Sequence, residues 1–447
     1  MKWFPEKLES FADRTAIIDS GKKYSYTDLA EKIKYYLQLF NAQFTTGNTV
    51  ALSTDYSFGA IAAFIALYES NQVISLFVSE SEKERDAKLK VLQPDYLIDL
   101  TENECLISEW KPNLKHQLIQ ELKQSENAGL VLFTSGTTGE PKAILHNLDT
   151  LVNQYKREYT KDLNLIPLLG FDHIGGLDML LSQLAIGATL TIPQNRTPKH
   201  ICESIEKYKV NVISASPTFL NLLLLCEAYT DYNLSSLQII GYGSEPMPVW
   251  LLNKLNAVFP TVVFQQKYGL SETNAIRIKS KSKDSLFFKI DDSSVEFKVI
   301  ENELWLRSPS VFSGYLDVTD NSGTKDGWFN TGDMVETDAE GYMKVLGRKS
   351  DIINVGGEKV FPAEVESALA EIPFIKDCQV FAEKSLITGN IIVANVVSSS
   401  DKAFSDQKNE IRKLLHHKLN RYKIPVKFYF VDTIIYNDRM KKVRKIQ

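Results

Sequence analysis

The sequence predicts an α/β fold: a large N-terminal domain, in which helices cover β-sheets, and a small α+β domain at the C-terminus. Short apolar runs that suit buried strands end abruptly in polar, glycine-bearing loops, and helix-like segments lie between them. This pattern of strands, loops and helices changes after about Tyr342. The chain of 447 residues also exceeds the size of a single compact core, so two or three domains are expected.

Four pairs of strand and loop support the large domain. They are Leu130–Phe133 before Thr134–Gly139, Val212–Ile213 before Ser214–Pro217, Leu237–Ile240 before Gly241–Pro246, and Val262–Phe264 before Gln265–Glu272. Helices are predicted over Pro198–Tyr208 and Val249–Phe259. Near the N-terminus, two strands joined by a turn at Gly21 precede a helix for which Thr27 is a plausible N-cap. Ligands of open α/β sheets bind beyond the carboxyl ends of the strands, so the four loops should meet at a binding site.

The small domain is predicted to follow a charged, turn-like boundary within Gly347–Asp351. Residues 1–346 then form the large domain, residues 347–351 the hinge and residues 352–447 the small domain. Its predicted elements are a helix over Pro362–Leu369, strands over Gln379–Ala382 and Ile391–Val397, and an amphipathic helix that carries Ile411, Leu414, Leu415 and Leu419.

Composition narrows the functional class. The formal charge of −5 gives no basic field, which argues against nucleic-acid binding. The cysteines lack the spacing of a disulfide framework or a zinc site, which favours the cytoplasm. They are Cys105, Cys202, Cys226 and Cys378. Charge and proline interrupt the N-terminus before a signal peptide could form, and runs such as Ala60–Leu67 are too short to span a membrane.

The segment Thr134–Lys142 carries the strongest chemical signal. It places hydroxyl side chains between two glycines directly after a predicted strand, and backbone N–H groups in such turns converge on anions. Its members are Thr134, Ser135, Gly136, Thr137, Thr138, Gly139 and Lys142. The spacing does not fit GxxxxGK[ST], so this is not a Walker A loop and a P-loop kinase is disfavoured. Composition alone leaves two interpretations open, a phosphate-binding loop and a hydroxyl-rich surface loop.

Several motifs in order, from about Lys22 to Arg444, make the chain resemble the adenylate-forming superfamily. That superfamily groups acyl-CoA and aryl-CoA synthetases, peptide-synthetase adenylation domains and firefly-type luciferases. The resemblance implies ATP-dependent activation of a carboxylic acid as an acyl-adenylate, release of pyrophosphate, transfer to a thiol, and a small domain that moves. Thr134–Lys142 resembles the loop of this family that holds the β- and γ-phosphates of ATP.

The resemblance assigns the rest of the nucleotide site residue by residue. The segment that lies against adenine corresponds to Gly243, Ser244, Glu245 and Pro246. A second motif is matched by Tyr268, Gly269, Ser271 and Glu272. There Tyr268 would stack on adenine, Ser271 would touch phosphate and Glu272 would help to bind Mg²⁺. Asp333 and Arg348 match the residues that bind the ribose hydroxyls.

The small domain carries the remaining matches and two departures. Gly356 and Gly357 would help to line the channel of the pantetheine acceptor. Alignment of Arg444 with the arginine of GKxxR makes Lys441 the catalytic lysine, with Lys442 and then Lys445 as alternatives. Met440 stands where this motif has glycine, and Ser350 stands where the hinge usually carries Asp or Lys. These departures keep a second hypothesis open, a nucleotide-binding homologue without catalysis.

Substrate preference is predicted from the stretch Pro167–Leu177, which resembles that of acyl- and aryl-CoA ligases. His173 would lie beside the substrate carboxylate. Phe171-Asp172 imitates the aspartate by which amino-acid-activating domains hold an α-ammonium, but the following residues favour a structural Asp172. Ser214–Pro217 and Gly241–Tyr242 are expected to wall the acyl pocket, which leaves aryl and medium-chain aliphatic acids open.

The acceptor is expected in trans, because no carrier domain follows Lys441. Free CoA is the simpler acceptor. Phosphopantetheine on a separate carrier protein is the alternative, and it would also suit an amino acid substrate.

Overall fold

The structure is a computed structural model that describes residues 2–78, 81–102, 104–112, 116–135, 141–309, 311–316 and 324–436. Within these ranges the α-helices are, in chain order, α1 (Trp3–Glu9), α2 (Tyr26–Asn41), α3 (Phe58–Glu69), α4 (Glu82–Leu92), α5 (Gln117–Gln124), α6 (Leu148–Asn153), α7 (Ile174–Leu184), α8 (Pro198–Tyr208), α9 (Pro217–Cys226), α10 (Val249–Val258), α11 (Pro362–Ala370) and α12 (Phe404–His416). Short 3-10 turns occupy Ala228–Thr230, Lys349–Asp351 and Arg421–Lys423.

The strands fall into a first half that builds two sheets and a second half that builds the rest. The first half comprises β1 (Thr15–Asp19), β2 (Lys22–Ser25), β3 (Thr49–Ser53), β4 (Val73–Phe77), β5 (Tyr96–Leu100), β6 (Cys105–Glu109), β7 (Gly129–Ser135), β8 (Pro141–Asn147), β9 (Asn164–Pro167), β10 (Thr189–Ile192), β11 (Val212–Ala215), β12 (Ile239–Tyr242) and β13 (Val263–Gln266). The second half comprises β14 (Tyr268–Leu270), β15 (Asn274–Ile276), β16 (Ile278–Ser280), β17 (Phe288–Ile290), β18 (Glu296–Ile300), β19 (Glu303–Arg307), β20 (Gly314–Tyr315), β21 (Thr324–Lys325), β22 (Trp328–Thr337), β23 (Met343–Arg348), β24 (Ile353–Val355), β25 (Glu358–Val360), β26 (Ile375–Ser385), β27 (Gly389–Ser398) and β28 (Lys427–Phe430).

Two largely parallel sheets form the centre of the large domain. One has the order β13-β12-β11-β9-β10-β1-β2, and the other has the order β20-β8-β7-β4-β3-β5-β6. Helix α3 is buried in the main hydrophobic core, since its residues Ala60–Tyr68 are buried without interruption. Parallel strands covered on both faces need such continuous apolar runs.

The register of three parallel neighbours explains why the predicted loops meet. Ser214 lies opposite Gly241, and Tyr242 lies opposite Gln266. Strands β11, β12 and β13 therefore end at the same edge of their sheet, and the loops that follow them open on the same side. The third large sheet, with the order β16-β17-β23-β22-β19-β18, is antiparallel and carries Asp333 on β22 and Arg348 on β23.

The small domain packs α11 and α12 on a three-stranded sheet with the order β26-β27-β28. Its own core includes Val365 and Leu369 of α11, Val380 of β26 and Ile411 of α12, all fully buried. These observations confirm the predicted fold class. Two predicted helices agree closely with α8 and α11, whereas the strands of this domain are longer than predicted.

The N-terminal prediction was wrong in two details. Helix α1 precedes the first strand, because Phe4 and Leu8 supply apolar side chains that are buried in the core. The N-cap of α2 is Ser25 rather than Thr27. The Ser25 hydroxyl accepts a hydrogen bond from the Asp28 backbone N–H at 3.0 Å, and the Asp28 carboxylate accepts one from the Ser25 N–H at 2.7 Å. This reciprocal capping box satisfies two backbone donors.

Candidate active site

A cavity of about 510 Å³ lies where the edge formed by β11, β12 and β13 faces the small domain. The large domain contributes the segment 243–248 after β12, the hairpin residues Tyr268–Ser271, and Asp333 and Arg348. The small domain contributes Phe361–Ala363 and Asp377 among others. The structure therefore brings predicted residues from four separate stretches of sequence to one cavity.

Asp333 is the best-defined polar group of this cavity. The residue is only 5% exposed. The Tyr268 hydroxyl donates to Oδ2 at 2.7 Å, and Nε of Arg348 lies 2.9 Å from Oδ1. Burial raises the pKa of Asp333, while the Arg348 charge and the Tyr268 hydrogen bond oppose that shift. The carboxylate is thus fixed in place by two partners before any ligand binds.

Local structure explains how this geometry arises. Asp333 and Arg348 are direct neighbours in the antiparallel register of β22 and β23. The Asp333 N–H donates to the Thr331 hydroxyl at 3.0 Å, and Nη1 of Arg348 donates to the Thr331 carbonyl at 2.8 Å. Gly332, between them, has a φ of +70°, which L side chains rarely adopt. The glycine of the predicted motif is therefore needed to turn the Asp333 side chain toward Tyr268.

Tyr268 begins the short hairpin of β14 and β15. Its ring packs against Phe288 with centroids 5.4 Å apart, and burial together with the Asp333 charge raises the pKa of its hydroxyl well above the usual value. The hydroxyl therefore stays protonated and acts as a donor. Stacking of this ring on adenine remains a prediction.

Ser271 and Glu272 occupy the turn of that hairpin. Nε2 of the buried His146 donates to the Ser271 carbonyl at 2.6 Å, and the Phe312 N–H donates to the Glu272 carbonyl at 2.7 Å. The Tyr315 hydroxyl donates to Oε1 of Glu272 at 3.0 Å. Burial lowers the pKa of His146 to about 4, so this imidazole is neutral near pH 7. Two strands of another sheet, β8 and β20, thereby fix the hairpin that carries the predicted Mg²⁺ ligand.

The structure describes the predicted phosphate segment, Thr134–Lys142, only at its two ends. Strand β7 continues beyond its predicted end through Thr134 and Ser135, and Thr134 pairs with Lys142 of β8. Nζ of the exposed Lys142 lies 5.8 Å from the ring centroid of Tyr315, the residue that also contacts Glu272. The predicted residues Gly136, Thr137, Thr138 and Gly139 lie outside the described residues.

The predicted adenine segment follows β12 directly. Gly243 has no room for a side chain, because a Cβ atom there would lie 2.9 Å from the carbonyl oxygen of Lys267. Ser244 has a φ of +65°, and Oε2 of Glu245 accepts a hydrogen bond from the Thr218 hydroxyl at 2.6 Å. Pro246 completes the stretch on the cavity wall.

His173 is the N-cap of α7 and lines the cavity. Its Nδ1 accepts a hydrogen bond from the Gly175 N–H at 3.0 Å, so the ring proton resides on Nε2 in the neutral tautomer. Gly176 of the same motif is required sterically, since a Cβ atom there would lie 2.1 Å from the Gly170 carbonyl oxygen. Asp172 is not among the described residues that line the cavity.

The residues predicted for the acceptor and the hinge lie elsewhere. Gly356 and Gly357 form the two-residue turn between β24 and β25, with φ angles of +60° and +96°. Both are exposed, and neither is among the described residues that line the cavity. Ser350 lies in the exposed 3-10 turn that joins the domains, where its hydroxyl is 3.2 Å from Oδ1 of Asp351. Lys441, Lys442 and Lys445 lie outside the described residues.

Sequence reasoning missed polar residues of the cavity, among them Tyr436, Asp377 and Lys267. The Tyr436 hydroxyl donates to Oδ2 of Asp377, and both side chains line the cavity from the small domain. Neither belongs to a motif, so no signal in the sequence could have identified them. Lys267 also lines the cavity. It lies inside the Gln266–Thr273 motif, at a position to which the motif assigned no role.

In the part of the chain that the structure describes, no group of three or more His, Cys, Asp or Glu residues could hold a metal ion. Over the same residues, no helix is both long enough and apolar enough to cross a bilayer. All four cysteines are free thiols, and Cys202 and Cys378 are buried.

The architecture and the cavity define a class of adenylate-forming enzyme, and sequence similarity identifies the family. The model of the AMP-binding enzyme family matches residues 4–316, and that of the AMP-binding enzyme C-terminal domain matches residues 364–437. The chain therefore belongs to the AMP-binding enzyme family. The predicted resemblance to adenylate-forming enzymes is confirmed.

Individual relatives agree with this assignment. A 2-succinylbenzoate–CoA ligase of Bacillus licheniformis is 27% identical over 491 aligned positions, which cover 99% of this chain and 98% of the relative. The anthranilate CoA ligase AuaEII, solved with anthranoyl-AMP, has a TM-score of 0.83 at 18% identity and covers 98% of this chain and 95% of its own. The o-succinylbenzoate CoA synthetase of Bacillus subtilis, solved with ATP and a magnesium ion, has a TM-score of 0.77 at 23% identity, with coverages of 99% and 98%. The predicted enzyme class, an AMP-forming acid–thiol ligase, is confirmed.

Proposed function

We propose that this enzyme activates an aryl carboxylic acid with ATP and transfers the acyl group to the thiol of CoA. One observation supports this most directly. The Asp333 carboxylate is fixed between Tyr268 and Arg348 in a cavity that His173 also lines. The aryl acid is supported by the names of two relatives, a 2-succinylbenzoate–CoA ligase and an anthranilate CoA ligase. A medium-chain acyl substrate is the less favoured alternative.

The nucleotide would bind along the wall formed by segment 243–248 and the hairpin. Asp333 would accept hydrogen bonds from the ribose hydroxyls, with Arg348 beside it. Adenine would lie between Tyr268 and the backbone of Gly243–Pro246, where the missing Cβ of Gly243 lets this segment pack closely against the Lys267 backbone. The phosphates would then extend toward Thr134, Ser135 and Lys142.

The first step joins the substrate carboxylate to the α-phosphorus of ATP. A carboxylate oxygen forms the new P–O bond, and the bond from the α-phosphorus to the bridging oxygen breaks, so pyrophosphate leaves with that electron pair. Two anions must approach each other, so positioning and charge neutralisation are the main contributions of the protein. Because Nδ1 of His173 accepts from Gly175, the ring proton of the neutral tautomer resides on Nε2, and this group would donate it to the substrate carboxylate.

Glu272 fits the role of a magnesium ligand. Mg²⁺ is usually held by one or two carboxylates together with phosphate oxygens rather than by an all-protein cage, which agrees with a single half-buried acid beside the phosphate segment. When bound, the ion neutralises phosphate charge. Tyr315, which donates to Oε1 of Glu272, orients that carboxylate.

The second step moves the acyl group from phosphate to sulfur. The thiolate of CoA attacks the acyl carbon, the C–S bond forms, and AMP leaves with the oxygen that had joined carbon to phosphorus. We assign Lys441 to the first step, in which it would neutralise the carboxylate and the α-phosphate, and Gly356 and Gly357 to the channel for pantetheine. Rotation about Ser350 would exchange these two parts of the small domain. Phosphopantetheine on a carrier protein is the alternative acceptor, and the four free thiols suit a cytoplasmic location.

Acid-dependent exchange of pyrophosphate into ATP tests the first step. We expect exchange with an aryl acid, reduced about 100-fold to 1,000-fold in Glu272→Ala and in Lys441→Ala, because each removes charge stabilisation of the transition state. Lys442→Ala is the matched control and should retain exchange.

Two outcomes would contradict the proposal. Loss of exchange in Lys442→Ala but not in Lys441→Ala would transfer the catalytic role to Lys442. ATP binding without exchange across a broad acid panel would instead support the non-catalytic hypothesis. Thioester formation with CoA, compared with a phosphopantetheinylated carrier protein, decides the acceptor.

A further inference from the structure

Lys267 lies on the cavity wall at the end of β13, immediately before the hairpin. Its backbone N–H donates to the Tyr242 carbonyl at 2.8 Å, and its Cβ would lie 3.1 Å from a Cβ on Gly243. The side chain is exposed and lines the cavity together with His173 and Thr218. A cation therefore lies on the cavity wall next to the predicted adenine segment.

The other cations of the cavity have different positions. Three lysine or arginine side chains line it among the described residues, and Arg348 is already bonded to Asp333. Lys376 belongs to the small domain, next to Asp377. Lys267 is thus the cation that the large domain presents on the side of His173. Over the described ranges, its ammonium makes neither a hydrogen bond nor an ion pair within 4.0 Å.

The charge of Lys267 acts on Asp178 of α7, whose carboxylate is bound to another group. Oδ1 of Asp178 accepts a hydrogen bond from the Tyr155 hydroxyl at 2.7 Å, and that hydroxyl accepts one from Nδ2 of Asn274 at 3.0 Å. Burial raises the pKa of Asp178, and the positive charge of Lys267 opposes the shift. The Asp178 carboxylate is therefore occupied by the Tyr155 hydroxyl, and among the described residues no ion pair within 4.0 Å joins it to the Lys267 ammonium.

We infer that Lys267 is a specificity-determining residue that selects aryl acids with a second carboxylate. One carboxylate would react beside His173 and the other would pair with the Lys267 ammonium. A second carboxylate in this cavity is costly to desolvate unless a cation meets it, and an acid without one gains nothing from Lys267. This inference rests on the proposed function. It agrees with the acid in the name of the relative, 2-succinylbenzoate, which carries two carboxylates.

A matched set of three acids tests this inference. The set contains 2-succinylbenzoate and two monoacids that each lack one of its carboxylates, 2-butyrylbenzoate and 4-oxo-4-phenylbutanoate. Acid-dependent exchange should give wild-type kcat/KM values that favour the diacid over whichever monoacid reacts. In Lys267→Met, which keeps the length of the side chain, kcat/KM for the diacid should fall about 30-fold through KM. The value for the reactive monoacid should stay within about 2-fold, and Lys267→Arg should retain the preference for the diacid.

Each failure has its own signature. Equal losses for diacid and monoacid in Lys267→Met, or a raised KM for ATP, would overturn the inference, because Lys267 would then serve the nucleotide or the fold. A wild type that uses monoacids without preferring the diacid would also overturn it while leaving the proposed function intact. Exchange with no acid of a broad panel would refute the proposed function itself. A thermal midpoint for Lys267→Met equal to that of the wild type excludes misfolding as the cause of a loss.

Discussion

The nucleotide wall, formed by Tyr268, Asp333 and Arg348, and the glycine turn, formed by Gly356 and Gly357, differ in how far they are prepared for ligands. The nucleotide wall is bonded internally inside the cavity. The glycine turn is exposed and lies away from the described cavity lining. The resemblance assigned both regions to ligand binding, yet only the nucleotide wall has its side chains bonded to one another inside the cavity.

This difference matches the order of the two proposed reactions. A preorganised carboxylate gives up little conformational entropy when the nucleotide binds. An exposed turn can reach the same cavity only if the small domain moves. The comparison therefore predicts that substitutions in the nucleotide wall affect the first step, whereas substitutions in the glycine turn affect the second.

Among the substitutions that test this comparison, Asp333→Asn should have the largest effect. The substitution removes the charge that Arg348 and Tyr268 support and weakens binding of the ribose hydroxyls, so KM for ATP should rise about 100-fold in the exchange assay. Asp338→Asn is the matched control, since Asp338 pairs with Lys281 at a turn of the same sheet and should leave KM unchanged. An unaltered KM for ATP in Asp333→Asn would show that the nucleotide does not bind at the nucleotide wall.

An intermediate effect is expected for Gly357→Ala. Gly357 and Gly389 have φ angles of +96° and +73°, and neither would bring a Cβ within 4 Å of another atom. Alanine at either position should cost about 1–2 kcal/mol of unfolding free energy through backbone strain. Thioester formation from preformed acyl-adenylate should slow about 10-fold in Gly357→Ala alone, while pyrophosphate exchange persists in both variants. Equal rates of thioester formation in the two variants would show that the glycine turn does not bind the acceptor.

The smallest effect concerns the support behind the nucleotide wall. The pKa of His146 is about 4 in the folded protein and about 6.5 in an unfolded chain. Protonation of His146 therefore favours unfolding. The contribution of the neutral imidazole to the free energy of unfolding is fully present above pH 6.5, and it is lost progressively as the pH falls toward 4. Between pH 7.5 and pH 5.5 the wild type should lose about 1 kcal/mol more than His146→Gln.

A matched control isolates this contribution. Nε2 of His116 also donates to a backbone carbonyl, that of Val91 at 2.8 Å, and His116→Gln therefore controls for the loss of a hydrogen-bonded imidazole as such. Chemical denaturation at both pH values measures the difference. Identical pH dependence in His146→Gln and the wild type would show that this imidazole does not couple the hairpin to folding.

Much of the fold was predictable because it depends on local patterns. Helix α8 begins at Pro198 and ends at Tyr208 as predicted, since proline at its first turn and a periodic apolar face are both written in the sequence. The predicted loops follow β11, β12 and β13, because each of these short apolar runs ends in a polar loop that the sequence shows directly. Where apolar and polar residues mix, as along β26 and β27, the predicted strands were too short, because cross-strand pairing extends them.

The sequence alone determined the class of chemistry. Residues such as Gly243 and Gly332 are fixed by backbone crowding or by a positive φ, and such steric requirements appear as motifs at constant spacing. The tertiary structure decided which side chains meet. The Tyr268–Asp333 hydrogen bond joins residues 65 apart in sequence, and Lys267 lines the same cavity as His173 although the two lie far apart in the chain. Contacts of this kind depend on the packing of distant elements, on which no local pattern carries information.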